Sequence, residues 1–258
     1  KEIYLNINVD EIKKKSSSQN KPIVKQNNVK TSQIDQEKVL PKVTIIFITF
    51  NQLEYTLQCL ESIRKFTHIP YEIVVVDNAS TDSTCQSLRS YKDIKLIENK
   101  KNLGFPKAIN QAIQLAIGQN ILILNNDIVV TEGWIERMIE LADSNPSFGV
   151  LGPISNIVSG VQIDKNAKYN SIEEMHKYAA KIKKENAGKY FEFPRVAFLC
   201  TLIKREVIDK IGGLDERFSP GNFEDDDFCL RVELAGYKTV IAQDVFIHHY
   251  GSKSFKAN

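Results

Sequence analysis

The fold is decided by a pattern that begins with Val43-Thr44-Ile45-Ile46-Phe47-Ile48. This run is short, apolar and rich in β-branched residues, as expected of a strand buried on both faces. Similar runs occupy 73–76, 94–97 and 121–124. The segments at 52–66, 81–91 and 105–117 have apolar residues at helical spacing instead. Because strands and helices alternate, the sequence predicts an α/β fold with a mostly parallel sheet flanked by helices.

The second half of the chain has a less regular pattern. It contains an amphipathic segment at 171–187, an apolar stretch at 196–203 and a short helical segment at Arg205–Ile211. Residues 160–195 carry no interpretable motif. We therefore expect a single domain over 42–258, with a regular half at 42–130 and a smaller mixed half at 131–258.

The composition excludes several classes of protein. The chain of 258 residues has 34 basic and 32 acidic side chains, a net charge of +2 that is too small to indicate nucleic acid as the main partner. The four cysteines are far apart and form no CxxC pair, which disfavours a zinc knuckle or a disulfide framework and favours a reducing cytosol. No apolar run reaches the roughly 18 residues of a membrane span. We expect a cytoplasmic location, with peripheral membrane association as a second option.

Residues 1–41 differ in composition from the rest. They are rich in Lys, Ser, Asn and Gln and poor in apolar residues, which predicts a linker or tail, or the end of a preceding unit. Ile3, Leu5, Ile7 and Val9 alternate with polar residues and leave a short strand as an alternative. Lys at position 1 is expected of a fragment or a processed chain, so adjacent domains are possible partners.

Polar residues follow each of the four predicted strands. In parallel α/β sheets the ligand crevice lies beyond the carboxyl ends of the strands, so these residues are candidates for binding. They are Thr49, Asn51, Asp77, Asn78, Asn102, Gly104, Asn125, Asn126 and Asp127. The sequence therefore predicts one polar edge to which four strand ends contribute.

Two residues of this chain are candidates for holding a metal ion. Asp127 lies between two apolar runs, and Mg²⁺ or Mn²⁺ usually takes one or two carboxylates plus phosphate oxygens and water. His249 would add a nitrogen ligand, which favours Mn²⁺ without excluding Mg²⁺. The alternatives are an ordinary turn aspartate and a core or edge histidine.

Four consecutive acids, Glu224-Asp225-Asp226-Asp227, begin an amphipathic segment. Adjacent carboxylates repel one another, so they are tolerated best near a cation, at a helix N-terminus or in a proton-transfer role. One interpretation is a catalytic rim, and the other is a helix start whose acids complement the helix dipole. Asp226 and Asp227 fit the second interpretation by themselves.

The loop after the second predicted strand also has two interpretations. Asp82 precedes a helical segment and is best explained as an N-cap. Asp77 is either a turn residue or a carboxylate that accepts the ring N–H of a uracil or thymine. Gly104 would let a diphosphate or sugar approach the backbone, or it is an ordinary turn glycine.

These motifs, in this order, resemble those of glycosyltransferase family 2, whose members have the GT-A fold and transfer sugars from nucleotide diphosphate donors with inversion. The resemblance spans about Lys42 to Phe255. The matching segments are 43–51, 74–82, Asn102-Leu103-Gly104-Phe105 with Asn110, Leu124-Asn125-Asn126-Asp127, 213–218 and Glu224-Asp225. Asn125 stands where the family's DxD motif has its first acid, which leaves one carboxylate in that motif.

The resemblance implies a role for each candidate. Residues 42–130 would bind the nucleotide sugar, and 131–258 would bind the acceptor and carry the chemistry. Asp225 and Glu224 would be the catalytic residues, with Asp225 as the general base. Asp127 and His249 would hold Mg²⁺ or Mn²⁺, with His248 as the alternative to His249, and Asp77 would contact the nucleobase. The remaining donor-binding candidates are Thr49, Asn51, Asn78, Asn102, Gly104, Asn110, Asn125 and Asn126.

The expected activity is transfer of a hexosyl or deoxyhexosyl group from a UDP- or dTDP-sugar to a glycan, lipid-linked or protein acceptor, as in bacterial polysaccharide assembly. Two other functions remain open. A sugar nucleotidyltransferase has a similar sheet but needs a Gly-rich basic loop, which Thr49-Phe50-Asn51-Gln52 lacks. A non-catalytic nucleotide-sugar binding module would share the fold without the chemistry.

Overall fold

The computed structural model of this protein describes residues 41–251. The predicted tail lies outside the described residues except for position 41, and so does the alternating segment that contains Ile3 and Val9. Within 41–251, no helix has both the length and the apolar character needed to cross a bilayer.

The described residues form one sheet of nine strands. In chain order these are β1 (Val43–Thr49), β2 (Tyr71–Asp77), β3 (Ile94–Glu98), β4 (Asn120–Asn125), β5 (Ile128–Val129), β6 (Phe148–Ser155), β7 (Tyr190–Glu192), β8 (Cys200–Lys204) and β9 (Lys238–His249). Across the sheet the order is β3-β2-β1-β4-β8-β6-β9-β5, with β7 paired to β9. The first four strands are parallel, whereas β8 runs antiparallel to its neighbours β4 and β6. The predicted α/β class, with a parallel first half and a mixed second half, is confirmed.

Helices cover both faces of the sheet. They are α1 (Leu53–Phe66), α2 (Thr84–Leu88), α3 (Phe105–Leu115), α4 (Trp134–Ser144), α5 (Ile172–Glu185), α6 (Arg205–Ile211) and α7 (Glu224–Leu234). Apolar residues of α1 and α4 pack on one face, and those of α3, α6 and α7 pack on the other. Helix α5 packs separately against β9. The sheet is therefore the middle layer between two helical layers.

The first strand shows why the apolar runs are continuous. Val43, Ile45 and Phe47 belong to the core beneath α1 and α4, whereas Ile46 belongs to the core beneath α3 and α7. Successive side chains of a strand point to opposite faces, so a strand covered on both sides needs apolar residues at every position.

Several elements differ from the sequence-based expectation. The helix predicted at 81–91 is limited to Thr84–Leu88, because the residues before it form a loop in which Ala79 has a positive φ. The apolar stretch at 196–203 becomes a strand only from Cys200. Strand β9 was missed as a strand of twelve residues, because Gln243-Asp244 interrupts its apolar pattern. The acidic run does begin a helix, α7.

Candidate active site

The sheet register brings the predicted polar edge together. Thr49, the last residue of β1, is paired with Asp77, the last residue of β2. On the other side of β1, Ile48 is paired with Asn125 at the end of β4. Parallel strands end at the same edge of a sheet, so these side chains lie at adjacent strand ends.

The two carboxylate oxygens of Asp77 differ in their hydrogen bonding. The residue is 2% exposed, and its Oδ2 accepts a hydrogen bond of 3.1 Å from Ser80 N. Its Oδ1 is buried, and no donor among the described residues reaches it. A buried carboxylate oxygen without a donor is energetically costly, so this atom suits an N–H group of a ligand. Asp82 instead accepts from Thr84 N at 2.9 Å at the start of α2, in agreement with the capping interpretation.

Asn78 and Asn102 fasten the loops to one another. Asn78 Nδ2 donates to Asn102 Oδ1 at 2.8 Å, and Asn78 Oδ1 accepts from Leu103 N at 3.0 Å. Asn102 Oδ1 also accepts from Gly104 N at 2.9 Å. A Cβ atom on Gly104 would collide with Ser219 Oγ and Pro220 Cα. The glycine is therefore required by packing against that segment, whether or not a ligand approaches it.

Asn51 and Asn110 are also engaged within the protein. Asn51 Oδ1 accepts from Thr81 N at 2.7 Å, which ties the loop after β1 to the loop after β2. Asn110 pairs with the backbone of Leu214, with its Oδ1 accepting from N at 2.9 Å and its Nδ2 donating to O at 2.8 Å. Both side chains thus connect segments that are distant in the sequence.

The threonine of the edge belongs to a buried polar network. Thr49 Oγ1 lies 3.1 Å from Thr56 Oγ1, and Asn126 Nδ2 donates to Thr56 Oγ1 at 3.0 Å. Asn125, at the end of β4, is half-buried rather than fully buried. Of these three edge residues, Asn125 is therefore the one whose side chain is accessible.

Asp127 and His249 form a buried pair. The pairing of Ile128 with His249 in β5 and β9 brings them together, and His249 Nε2 lies 3.2 Å from Asp127 Oδ1. The aspartate is 3% exposed and the histidine 5%. His249 Nδ1 lies 2.8 Å from Ile157 O, and a carbonyl only accepts, so Nδ1 carries the proton. This bond directs Nε2 at the carboxylate.

The surroundings of this pair favour a positive charge. Burial lowers the pKa of His249, but the hydrogen bond and charge of Asp127 outweigh burial and raise the pKa above its usual value. The neighbouring His248 is different, because it lies 2.7 Å from Tyr169 OH through Nδ1 and burial lowers its pKa to about 4. His249, rather than His248, therefore faces Asp127.

The donor set fits a divalent cation only in part. Within 41–251, no group of three or more His, Cys, Asp or Glu side chains could hold a metal ion. Asp127 and His249 supply one oxygen and one nitrogen, and a hard cation would need further oxygen ligands. Such a pair suits a metal that a diphosphate and water help to coordinate.

The first turn of α7 presents two buried acids. Glu224 is 9% exposed and Asp225 is 7% exposed, whereas Asp226 and Asp227 are more exposed. Glu224 Oε2 accepts from Asn222 N at 2.5 Å, and Asp227 Oδ2 pairs with the Arg231 guanidinium at 2.9 Å. The exposed pair matches the helix-start interpretation, in which acids complement the helix dipole.

Asp225 has a guanidinium as its partner. Arg195 Nη2 donates to Asp225 Oδ2 at 2.6 Å, and Arg195 Nη1 donates to Ser159 Oγ at 3.0 Å. Burial raises the pKa of Asp225, and the charge of Arg195 opposes that rise. Sequence reasoning missed Arg195, because it is thirty residues from Asp225 in a stretch with no motif.

One short segment borders both groups of candidate residues. His249 contacts the carbonyl of Ile157, and Arg195, the partner of Asp225, contacts Ser159. Ile157 and Ser159 are two residues apart, so their Cα atoms lie within roughly 7 Å. The segment at 157–159 therefore connects the Asp127–His249 pair to Arg195, the partner of Asp225.

Solved structures with a similar fold include complexes with nucleotide sugars. The chain is similar to a mannosyltransferase from Pyrobaculum calidifontis in complex with GDP-Man and Mn²⁺, with 20% identity, a TM-score of 0.62, and coverage of 81% of this chain and 57% of that one. It is also similar to S. aureus TarS 1-349 in complex with UDP-GlcNAc, with 20% identity, a TM-score of 0.59, and coverage of 80% and 58%. The fold is the GT-A fold.

The chain belongs to glycosyl transferase family 2, whose model matches residues 44–212. An uncharacterized glycosyltransferase of Rickettsia bellii is 25% identical over 199 residues, which are 75% of this chain and 26% of that protein. An N-acetylglucosaminyl-diphospho-decaprenol L-rhamnosyltransferase of Mycobacterium tuberculosis is 26% identical over 242 residues, 84% of this chain and 77% of that protein. The chain spans about a quarter to a third of the length of the first curated relatives it matches.

Proposed function

We propose that this chain is an inverting glycosyltransferase that moves a hexosyl or deoxyhexosyl group from a UDP- or dTDP-sugar to a glycan, lipid-linked or protein acceptor. The observation that carries the proposal is that the segment at 157–159 contacts both His249, the partner of Asp127, and Arg195, the partner of Asp225. Family membership supports the class of reaction.

Asp77 is proposed to recognise the base of the donor. Its unpartnered Oδ1 would accept the ring N–H of uracil or thymine, which neither cytosine nor adenine offers in its neutral form. Asn51 and Asn78 would act indirectly by holding the loops on either side of Asp77. Thr49, Asn102, Asn110 and Asn126 are proposed to support the edge in the same way, whereas Gly104 and Asn125 are proposed to lie against the donor.

Asp127 and His249 are proposed to hold Mg²⁺ or Mn²⁺ together with the diphosphate of the donor. A metal bound there would neutralise the charge that develops on the diphosphate as it leaves. The Nδ1 bond from His249 to Ile157 O would keep Nε2 oriented for this role. The similar mannosyltransferase structure contains Mn²⁺, which supports the choice of a divalent cation.

Asp225 is proposed to act as the general base. The bond from the anomeric carbon to the diphosphate oxygen breaks, the acceptor oxygen forms the new bond from the opposite face, and the acceptor proton passes to the Asp225 carboxylate. Glu224 lies beside it but is fastened to Asn222 N, so it is proposed to shape the loop before α7. Burial of Asp225 is consistent with proton transfer away from bulk water.

The acceptor and sugar are proposed by comparison with relatives. The Mycobacterium tuberculosis relative is named as a rhamnosyltransferase that acts on a diphospho-decaprenol-linked sugar. That name supports a deoxyhexose donor and a lipid-linked acceptor here, with polysaccharide assembly at the cytoplasmic face of a membrane as the setting.

A thermal-shift screen with nucleotide sugars tests this proposal. The protein is heated with UDP-, dTDP- and GDP-sugars in the presence of Mn²⁺ or Mg²⁺, and a donor that binds the folded state raises Tm. We expect the largest shift from a UDP- or dTDP-sugar and slow release of the nucleoside diphosphate. Binding without any release, even with acceptors, would indicate a binding module, and pyrophosphate-dependent conversion would indicate a nucleotidyltransferase.

A further inference from the structure

Arg195 links three segments at the start of α7. Its guanidinium donates through Nη2 to Asp225 Oδ2 at 2.6 Å and through Nη1 to Ser159 Oγ at 3.0 Å, and its Nε lies 3.0 Å from Asp226 Oδ1. The Arg195 side chain is 28% exposed and that of Asp225 is 11% exposed. The contact of Nε with Asp226 is an ion pair without a hydrogen bond, so the directional bonds of Arg195 are those to Asp225 and Ser159. An arginine whose planar guanidinium donates to two acceptors at once is held more rigidly than one in an exposed ion pair.

The bonds to Asp225 leave room for a substrate. Its Oδ2 accepts from Arg195, and its Oδ1 accepts from Asp226 N at 3.0 Å. An ionised carboxylate has about four acceptor sites, so each oxygen keeps one site for another donor. Asp225 can therefore be fastened on both oxygens and still accept a hydrogen bond from an acceptor hydroxyl.

The surroundings of Asp225 shift its pKa in opposite directions. On α7 the titratable groups near it are Glu224, Asp226 and Cys229, and Arg195 meets it from the segment before β8. Burial raises the pKa of Asp225, the charge of Arg195 lowers it, and the contact with Asp226 raises it. Burial and Asp226 thus favour the protonated form of Asp225, whereas Arg195 favours the ionised form.

We propose that Arg195 is a positioning residue for the transfer reaction: by bridging Asp225 and Ser159 it holds the Asp225 carboxylate in the orientation that a base requires, with a positive charge beside it. The inference rests on the proposed function, since it assumes that Asp225 accepts the proton. It adds a residue from the stretch between β7 and β8 to the site.

The ionisation of Asp225 can be measured without a substrate. The protein is labelled with ¹³C at the aspartate carboxyl carbons, the Asp225 signal is assigned by its absence in Asp225→Asn, and the signal is followed against pH. In Arg195→Gln the titration midpoint is expected to move to higher pH, because the cation is lost. In Asp226→Asn, which keeps Arg195, it is expected to move to lower pH, because a like charge is lost.

Steady-state kinetics distinguish the effect of the Asp225 orientation from the effect of the Arg195 charge. Arg195→Lys keeps the positive charge but loses the planar fork, so kcat is expected to fall about 10- to 100-fold while the KM for donor stays near the wild-type value. The assay follows release of nucleoside diphosphate from the UDP- or dTDP-sugar that gives the largest thermal shift. The acidic limb of the kcat profile in Arg195→Gln should move to higher pH, as the carboxyl signal does.

An unchanged Asp225 midpoint in Arg195→Gln would overturn the inference. Should Arg195→Gln fail to fold by circular dichroism, Arg195→Lys carries the test, and wild-type kcat in that variant would overturn it. Full activity of Asp225→Asn would instead overturn the base assignment. The carboxyl titration distinguishes the two failures, since it reports on Arg195 whether or not Asp225 is the base.

Discussion

The loops after β1 to β3 hold their polar residues in a different way from the region that contains the Asp127–His249 pair and Asp225. Around β1 to β4, Asn51, Asn78 and Asn102 form neutral hydrogen bonds between neighbouring loops. By contrast, Asp127, which follows β4, and Asp225 in α7 each contact a group that can carry a positive charge. Neutral amide bonds fix the shape of a binding loop, whereas buried charges can change protonation state or bind a cation. We infer that the loops after β1 to β3 provide recognition, and that the Asp127–His249 pair and Asp225 provide the chemistry.

Of the changes considered, metal removal is expected to have the largest effect on transfer activity. Chelation with EDTA should stop transfer, because Asp127 and His249 would then face the diphosphate without a cation, and added Mn²⁺ or Mg²⁺ should restore it. In Asp127→Asn, the apparent affinity for Mn²⁺ should fall at least about 10- to 100-fold, measured by titrating activity. Undiminished activity in EDTA would mean that the Asp127–His249 pair does not act through a metal ion.

Asp225→Asn is expected to lower transfer by about 10²- to 10⁴-fold, because an amide cannot take the acceptor proton. Donor binding, measured by thermal shift, should stay near wild type, since Asp225 is proposed to contact the acceptor and not the donor. Asp227→Asn is the matched control, because Asp227 is in the same helical turn and pairs only with Arg231 among the contacts described for its side chain. Equal turnover in the two variants would contradict the assignment.

Asp77→Asn is expected to weaken binding of a uridine or thymidine donor by about 10- to 100-fold, the effect of losing a hydrogen bond to a charged acceptor. Calorimetry with UDP or dTDP measures this effect, and kcat at saturating donor should change little. A fall in kcat with unchanged affinity would mean that Asp77 acts in the chemical step and not in donor recognition.

Asn78→Ala is expected to have the smallest effect on the reaction. It removes a side chain that fastens Asn102 and Leu103, so the free energy of unfolding should fall by about 1–3 kcal/mol in urea denaturation. Asn166→Ala, at an exposed position, is the control and should leave stability unchanged. Loss of turnover in a stable Asn78→Ala protein would mean that the loops after β2 and β3 take part in the chemical step.

The parallel half could be predicted from the sequence because its signals are local. Continuous apolar runs identify strands covered on both faces, and the polar residue after each run marks the edge where ligands bind. The sequence therefore predicted that Asp77 and Asp127 lie at that edge. What it could not predict is that Asn51, Asn78 and Asn110 are already bonded within the protein, because those partners lie in other loops.

The second half was harder to predict because its contacts are long-range. Arg195 reaches Asp225, and His249 reaches the carbonyl of Ile157, with no repeating pattern between the partners. The sequence did not predict strand β9, although its last residue, His249, is a predicted metal ligand. An isolated arginine in a stretch with no motif carries no signal in one sequence.

Anomalous diffraction from a crystal grown with Mn²⁺ and UDP or dTDP tests the central claim most directly. We expect one manganese peak within coordination distance of Asp127 Oδ1 and His249 Nε2, bridged to the diphosphate, with the Asp225 carboxylate facing the space that a sugar would fill. A manganese ion bound elsewhere with the nucleotide in place, or a nucleotide bound away from Asp77, would contradict the account.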